Sequence, residues 1–213
     1  MRYYISDCHF FHAAMNDKMD RRGFESVEKM NEYMIEKWNS RVRKNDEVVI
    51  LGDLSWGNAT ETALLLRELR GKKYLIVGNH DRFLSSATFD TSAYFGWTDG
   101  YRELSDNGRK VILCHYPVFC YNYQYQLKED GSPKAYMLYG HVHDTTDERL
   151  VDSFIQKTLF VTVKNYSGED RHIPCEMINC FCMFSDYVPL TLDEWIERDR
   201  QRRTEMREKE GTL

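Results

Sequence analysis

Five short apolar runs, each stopping at a residue able to bind a metal, constrain this chain most. Tyr3-Tyr4-Ile5-Ser6 runs into Asp7, Val48-Val49-Ile50-Leu51-Gly52 into Asp53, and Tyr74-Leu75-Ile76-Val77-Gly78 into Asn79. Val111-Ile112-Leu113-Cys114 runs into His115, and Tyr136-Met137-Leu138-Tyr139-Gly140 into His141. Runs this short, rich in β-branched and aromatic residues, predict buried strands. A core strand gains nothing from ending in Asp, Asn or His. In open α/β sheets, ligands gather outside the carboxyl ends of strands, and all five residues sit at such ends.

Helical patterns separate several of these runs. Ser26 predicts the cap of a helix to about Val42, with Val27, Met30, Met34, Ile35 and Trp38 on one face. Thr60 predicts the cap of a second, with Leu64, Leu65 and Leu69 inward and Gly71 as its stop. Alternating strands and helices indicate α/β architecture. Asp106-Asn107-Gly108, between residues 101–104 and 110–113, predicts a hairpin turn, so part of the sheet is antiparallel. Residues 145–165 are expected to be helical at first and then irregular, and residues 175–184 to form one or two strands. Thr191 predicts the cap of a last helix through Trp195 and Ile196, fraying into a charged tail over residues 198–213. A length of 213 residues predicts one domain, 1–213, with the charged helix and tail beginning at about 191.

Composition narrows the partners. Hydrophobic residues make up 42% and charged residues 30%, with a net charge of -5. No Lys/Arg-rich block precedes the tail, so duplex nucleic acid is not an expected partner. The N-terminus lacks a charged-then-apolar signal segment, and no apolar run approaches a membrane span. A reducing cytoplasm is therefore expected, with the six cysteines as free thiols. Cys180-x-Cys182 has no second pair with which to complete a zinc site, so buried strand thiols are expected there.

The motifs carry the chemistry. In Asp7-x-His9 a carboxylate and an imidazole lie two residues apart, and on an extended chain both would point the same way. Gly52-Asp53 places a carboxylate after a residue that lets the backbone turn tightly. Gly78-Asn79-His80-Asp81 sets an amide ligand beside a free imidazole. Gly140-His141-Val142-His143 repeats the two-apart spacing with two imidazoles. Six of the seven histidines fall in or beside these motifs, and only His172 lies outside them. Mixed His/Asp/Asn donors suit divalent Mn, Fe, Zn, Ni or Co rather than Ca. Seven donors exceed the needs of one ion, and a bridging Asp53 would resolve the excess.

Taken in order, Asp7-x-His9, Gly52-Asp53, Gly78-Asn79-His80-Asp81, His115 and Gly140-His141-Val142-His143 resemble the five motifs of the calcineurin-like metallophosphoesterases. The resemblance spans residues 1 to about 145. Asp7 through His12, Arg22-Gly23-Phe24, Trp38-Asn39 and Leu51-Gly52-Asp53 look like a small bacterial and phage subgroup of that family. The resemblance implies a four-layer α/β/β/α sandwich of mixed sheets. It also implies two divalent ions, one on Asp7, His9, Asp53 and His143, the other on Asp53, Asn79, His115 and His141. It implies that His80 binds no metal but faces the substrate phosphate, donating to an oxygen or protonating the leaving group.

One position departs from the pattern. Many relatives carry a second Asp three residues after the bridging one, where it orients the reactive histidine. Trp56 stands there, so another group must orient His80, and protein phosphatase activity is disfavoured. His12 and Arg82 are candidates for substrate contact, Arg82 through bidentate phosphate binding. Asp81 is expected to hold the loop backbone. Tyr116, Phe119, Tyr121, Tyr123 and Tyr125 could wall a pocket and stack on a base, but a packed loop or an edge strand suits them as well. Residues 128–133 are expected to form an exposed loop. The expected function is hydrolysis of a phosphomonoester or phosphodiester, of a small molecule or nucleotide. The alternatives are a nuclease acting on nucleic-acid ends and a catalytically silent scaffold of the same fold.

Overall fold

The computed structural model describes residues 1–164, 166–172 and 175–211. Residue 165 of the 145–165 segment and residues 212–213 of the tail lie outside them. Strands β1 (Arg2–Ile5), β2 (Glu47–Ile50), β3 (Lys72–Ile76) and β4 (Phe95–Asp99) form a parallel sheet in that order. Strands β5 (Tyr101–Asp106), β6 (Arg109–Cys114) and β7 (Ala135–Tyr139) belong to a second sheet. After the small β8 (Thr162–Lys164) and β9 (Asp170–His172) hairpin, β10 (Met177–Asn179) completes that sheet in the order β10-β7-β6-β5. Its one antiparallel pair is β5–β6, closed by Asn107 and Gly108, both in the left-handed region that such a turn requires.

The strands alternate with period two, and each face finds a partner layer. Tyr3, Ile5, Val48, Ile50 and Leu75 pack outward onto Met30, Met34 and Trp38 of helix α2 (Val27–Arg41) and Leu65 and Leu66 of α3 (Ala59–Glu68). Tyr4, Val49, Leu51 and Ile76 face inward and meet Val111, Leu113, Tyr136, Leu138 and Ile178. On the far side, Ile112, Met137, Tyr139 and Met177 pack with Val151 of α4 (Thr146–Thr158). The order is therefore helix, sheet, sheet, helix: the four-layer α/β/β/α sandwich. The chain crosses from the first sheet to the second in the single residue Gly100, between β4 and β5.

Several local expectations hold and several do not. Ser26 caps α2, its hydroxyl accepting from the Lys29 N–H. The cap of α3 is Asn58, not Thr60, because Asn58 and Glu61 form a reciprocal capping box. The buried face of α3 then reads Thr62, Leu65, Leu66 and Leu69, and Leu64 is exposed. A short helix, α1 (Ala13–Asp17), follows the first motif. Strand β4 contains Gly96. A side chain there would collide with the Tyr74 ring, which stacks on Trp97 at 5.1 Å. The final helix, α5 (Leu192–Gly211), does not fray at residue 198 but remains helical through Gly211. Of the cysteine pair, Cys180 follows β10 and Cys182 lies in a 3-10 turn, both buried. Among the described residues no helix is long and apolar enough to cross a membrane.

Candidate metal centre

The carboxyl ends of β1, β2 and β3 from one sheet, and of β6 and β7 from the other, meet at one edge of the sandwich. Asp7 and His9 follow β1, Asp53 follows β2, and Asn79 follows β3. His115 follows β6, and His141 and His143 follow β7. Their side-chain atoms converge in two groups. In the first, His9 Nε2 lies 3.2 Å from His143 Nε2 and 3.5 Å from Asp53 Oδ2, and His143 Nε2 lies 3.5 Å from Asp7 Oδ1. In the second, Asn79 Oδ1 lies 3.0 Å from His115 Nε2 and 2.9 Å from His141 Nδ1, and His115 Nε2 lies 3.6 Å from Asp53 Oδ2. Asp53 Oδ2 thus faces both groups. Asp7, His9 and His143 are close enough to share one ion, as are Asp7, Asp53 and His115.

The two-apart motifs are not extended. Asp7, His9, Asp53, His141 and His143 all have positive φ, from 47° to 70°. Such conformations cost about 1–3 kcal/mol each in a non-glycine residue and concentrate at functional sites. They curl the chain so that alternate side chains turn onto the sheet edge. The glycines of the motifs have two distinct reasons. Gly52 is itself left-handed, at φ 88°. Gly78 and Gly140 are there for space: a Cβ would lie under 3.0 Å from the Asp53 carboxylate at Gly78, and from Asp7 Oδ2 and Ser6 at Gly140.

The surrounding bonds set each donor. His115 donates its Nδ1–H to the Leu51 carbonyl at 2.8 Å, leaving Nε2 free as a lone-pair donor. The His141 backbone N–H donates to Asp7 at 3.0 Å. Asp81 accepts from the backbone N–H groups of Gly78, Asp53 and Leu54 at 2.8, 3.0 and 2.8 Å, fastening the second motif to the third. Burial nevertheless raises its carboxyl to about 6. Burial also lowers His9 to about 2 and raises Asp53 above the ordinary carboxylate value. For Asp7, burial pushes upward, but the bond and charge of His143, with the charges of His115 and His9, hold it well below that value. His143 is driven the other way: burial opposes its charge, yet its bonds to Asp20 and Asp7 raise it to about 10. Buried carboxylates that draw a proton onto a facing imidazole are a fit for a bound cation, and so is the mixed Asp/His/Asn donor set.

The region around His80 is built differently from the candidate donors. The His80 backbone N–H donates to Asp53 Oδ1 at 2.8 Å, and its ring lies 5.1 Å from that of Trp56 at a 53° tilt. Trp56 also stacks on His12, 4.1 Å away and 9° from parallel, and the Arg82 guanidinium sits 5.0 Å from the indole. Trp56 thus packs against His80 from the position of the missing carboxylate. His12 is buried and Arg82 exposed. Two further residues touch the site: Asp20, which carries no signal in the motif pattern, and Tyr116, one of the aromatics that could wall a pocket. Asp20 accepts from His143 Nδ1 at 2.7 Å, and Tyr116 packs on His141 at 4.4 Å. Tyr121, Tyr123 and Tyr125 form no strand face: Tyr121 is buried, its hydroxyl bonded to the Glu176 backbone, and the other two are exposed, yet all three line one groove of about 840 Å³.

The model of the calcineurin-like phosphoesterase family matches residues 3–174. The chain belongs to that family. It is 36% identical over 143 residues to an uncharacterized protein of Methanocaldococcus jannaschii, covering 66% of this chain and 68% of that one. It is 29% identical over 161 residues to the Gene 66 protein of Mycobacterium phage D29, covering 66% and 77%. A crystal structure of a protein of unknown function from Aquifex aeolicus superposes with a TM-score of 0.61 at 22% identity, covering 91% of this chain and 96% of that one. That likeness shows a shared fold and nothing finer.

Proposed function

We propose that this calcineurin-like phosphoesterase hydrolyses a phosphomonoester or phosphodiester, of a small molecule or nucleotide, with two divalent transition-metal ions drawn from Mn, Fe, Zn, Ni and Co. The observation that carries the reading is Asp53 Oδ2, 3.5 Å from His9 Nε2 and 3.6 Å from His115 Nε2, facing both donor groups. Asp7, His9, Asp53 and His143 would hold one ion, and Asp53, Asn79, His115 and His141 the other. When bound, such a pair supplies a hydroxide nucleophile at neutral pH and neutralises charge on the phosphoryl group. His80 is the catalytic residue of this scheme, donating from its imidazole to a phosphoryl or leaving-group oxygen. Trp56 and the bond from the His80 N–H to Asp53 keep it in place. Arg82 and His12 are the candidates for substrate contact. A groove of about 760 Å³ opens on the Trp56 and Arg82 side of the site, lined also by Asn58, Thr60 and Ser86.

The test is a screen of mono-, di- and cyclic phosphoesters against Mn-, Ni- and Zn-loaded protein. Turnover of at least one ester, abolished by a chelator and restored by metal, is expected. A flat rate across p-nitrophenyl phosphate, its bis ester and the wider screen would sink the proposal in favour of a silent scaffold.

A further inference from the structure

Asp20 lies on the loop between α1 and α2, outside the five motifs, yet it is bonded to one of the candidate metal ligands. Its Oδ1 accepts from His143 Nδ1 at 2.7 Å. Its Oδ2 accepts from Arg22 Nε and Nη2, at 3.0 and 2.8 Å. The Arg22 side chain is itself fully buried, at 0% exposure. Its remaining oxygen contacts go to the backbone of the first motif, Nη1 to the Cys8 carbonyl at 2.6 Å and Nη2 to the Asp7 carbonyl at 3.0 Å.

We propose that Asp20, locked by Arg22, is a positioning residue that fixes His143 for metal binding and ties the first motif of one sheet to the last motif of the other. The proposal rests on the two-metal reading above. Phe181 stacks on the His143 ring at 4.5 Å and 19°. Stacking sets the plane of an imidazole but not which way round it lies in that plane. A flipped ring would keep the stacking and offer carbon where a donor is needed. The bond from Nδ1 to Asp20 removes that ambiguity. It keeps a proton on Nδ1 and points Nε2, the nitrogen that would yield its proton to an ion, toward Asp7 Oδ1 and His9 Nε2, the other atoms of that donor group. The carboxylate also makes Nε2 a stronger donor. Arg22 has a second task here. A guanidinium beside a cation site is unfavourable on charge alone, but its bonds to Asp20 and to two carbonyls offset that charge and hold the carboxylate in a single orientation.

The experiment is a calorimetric titration of Mn²⁺ into metal-free full-length wild type, Asp20→Ala and Asp20→Asn, with thermal melting of each metal-free protein as the control for folding. Wild type is expected to take up two ions. In Asp20→Ala one of the two affinities should fall by about 10- to 100-fold while the other is kept. Asp20→Asn keeps an acceptor without the charge and should fall between, and it carries the test if the alanine variant does not fold. A Co²⁺-loaded sample adds a signature that a merely structural role would not move: the visible spectrum of one of the two ions should change in Asp20→Ala. Two undiminished affinities with an unchanged spectrum overturn the role of Asp20 alone. Failure of the wild type to bind any divalent ion overturns the two-metal reading and this proposal with it.

Discussion

Gly140 shows at the scale of one residue how tightly the centre is drawn. Its missing side chain leaves the space that the Asp7 carboxylate and Ser6 occupy. Gly140→Ala should therefore force Asp7 aside, at about 1–3 kcal/mol for the overpacking. A lower melting temperature together with a reduced metal content is the expected result; full metal content would mean that Asp7 need not lie where it does. His80 makes the opposite prediction. It binds neither donor group through its ring, so His80→Ala should keep both ions and lose most turnover. Metal content and rate measured on one sample decide between this role and that of a ligand. Trp56 belongs to the same scale. Trp56→Ala removes the surface on which His12 stacks and against which His80 tilts, and the expected loss falls on turnover rather than on metal content.

The α5 helix carries the clearest lesson at the scale of an element. Its charged residues look like a solvated tail, but three arginines reach into the protein. Arg203 bonds Asp199 through Nε at 2.8 Å and Asp152 through Nη1 at 3.2 Å, and lies 3.1 Å from the fully buried Glu148. Arg202 pairs with Glu148 and Arg207 with Asp152. These pairs keep the helix folded far past residue 198. Arg203→Ala removes the buried cation that Asp199, Asp152 and Glu148 share, while Arg202 still faces Asp199 and Glu148 and Arg207 still faces Asp152; the loss should fall below about 3–5 kcal/mol, the cost of a buried charge left wholly unpaired, read from denaturant unfolding of the metal-free protein. The network also sets a pH dependence. Burial pushes Asp152 upward, but its bonds and charge interactions with Arg207 and Arg203 outweigh that and hold it below its ordinary value of 3.8. A group depressed on folding stabilises the protein above its unfolded value, and that contribution is lost as pH falls through the folded one. Acid should therefore weaken the hold of α5 on α4 below about pH 4. Asp152→Asn should flatten that part of the stability profile; an unchanged acid limb would assign it to other carboxylates.

At the scale of the whole molecule, neither sheet owns the metal centre. One sheet supplies Asp7, His9, Asp53 and Asn79, and the other supplies His115, His141 and His143. The contact layer between them, from Tyr4 and Leu51 to Leu113 and Leu138, sets the distance across which the donors meet. Ions bound at such a junction favour the folded state alone, by about 2.7 kcal/mol for each site held at a concentration 100 times its Kd. Mn²⁺ should raise the melting temperature of the wild type and a chelator should lower it. Asp53→Asn should lose at least one ion and with it part of that rise. Two ions held as tightly as before would remove Asp53 from the shared position.

The fold class, and the residues that gather at the sheet edge, were legible in the amino-acid sequence alone. Apolar runs that end in Asp, Asn or His report both a buried strand and the polar edge where it stops, since burial and ligation demand incompatible side chains at adjacent positions. The Asn107-Gly108 turn was legible for the same local reason. What lay beyond it depends on partners distant in the chain. Gly78 and Gly140 are glycines because a carboxylate from another strand fills their side-chain space. Asp20 reads as an ordinary loop acid until the chain brings His143, 123 positions away, against it. The tail of α5 reads as solvated until Glu148 and Asp152 of α4 lie beneath it. Trp56 could be seen to replace a carboxylate, but only the folded chain shows the indole packed between His12 and His80. Periodicity and residue type record what each segment needs from water or from a core; they do not record which remote side chain will meet that need, and the tertiary structure decided those pairings.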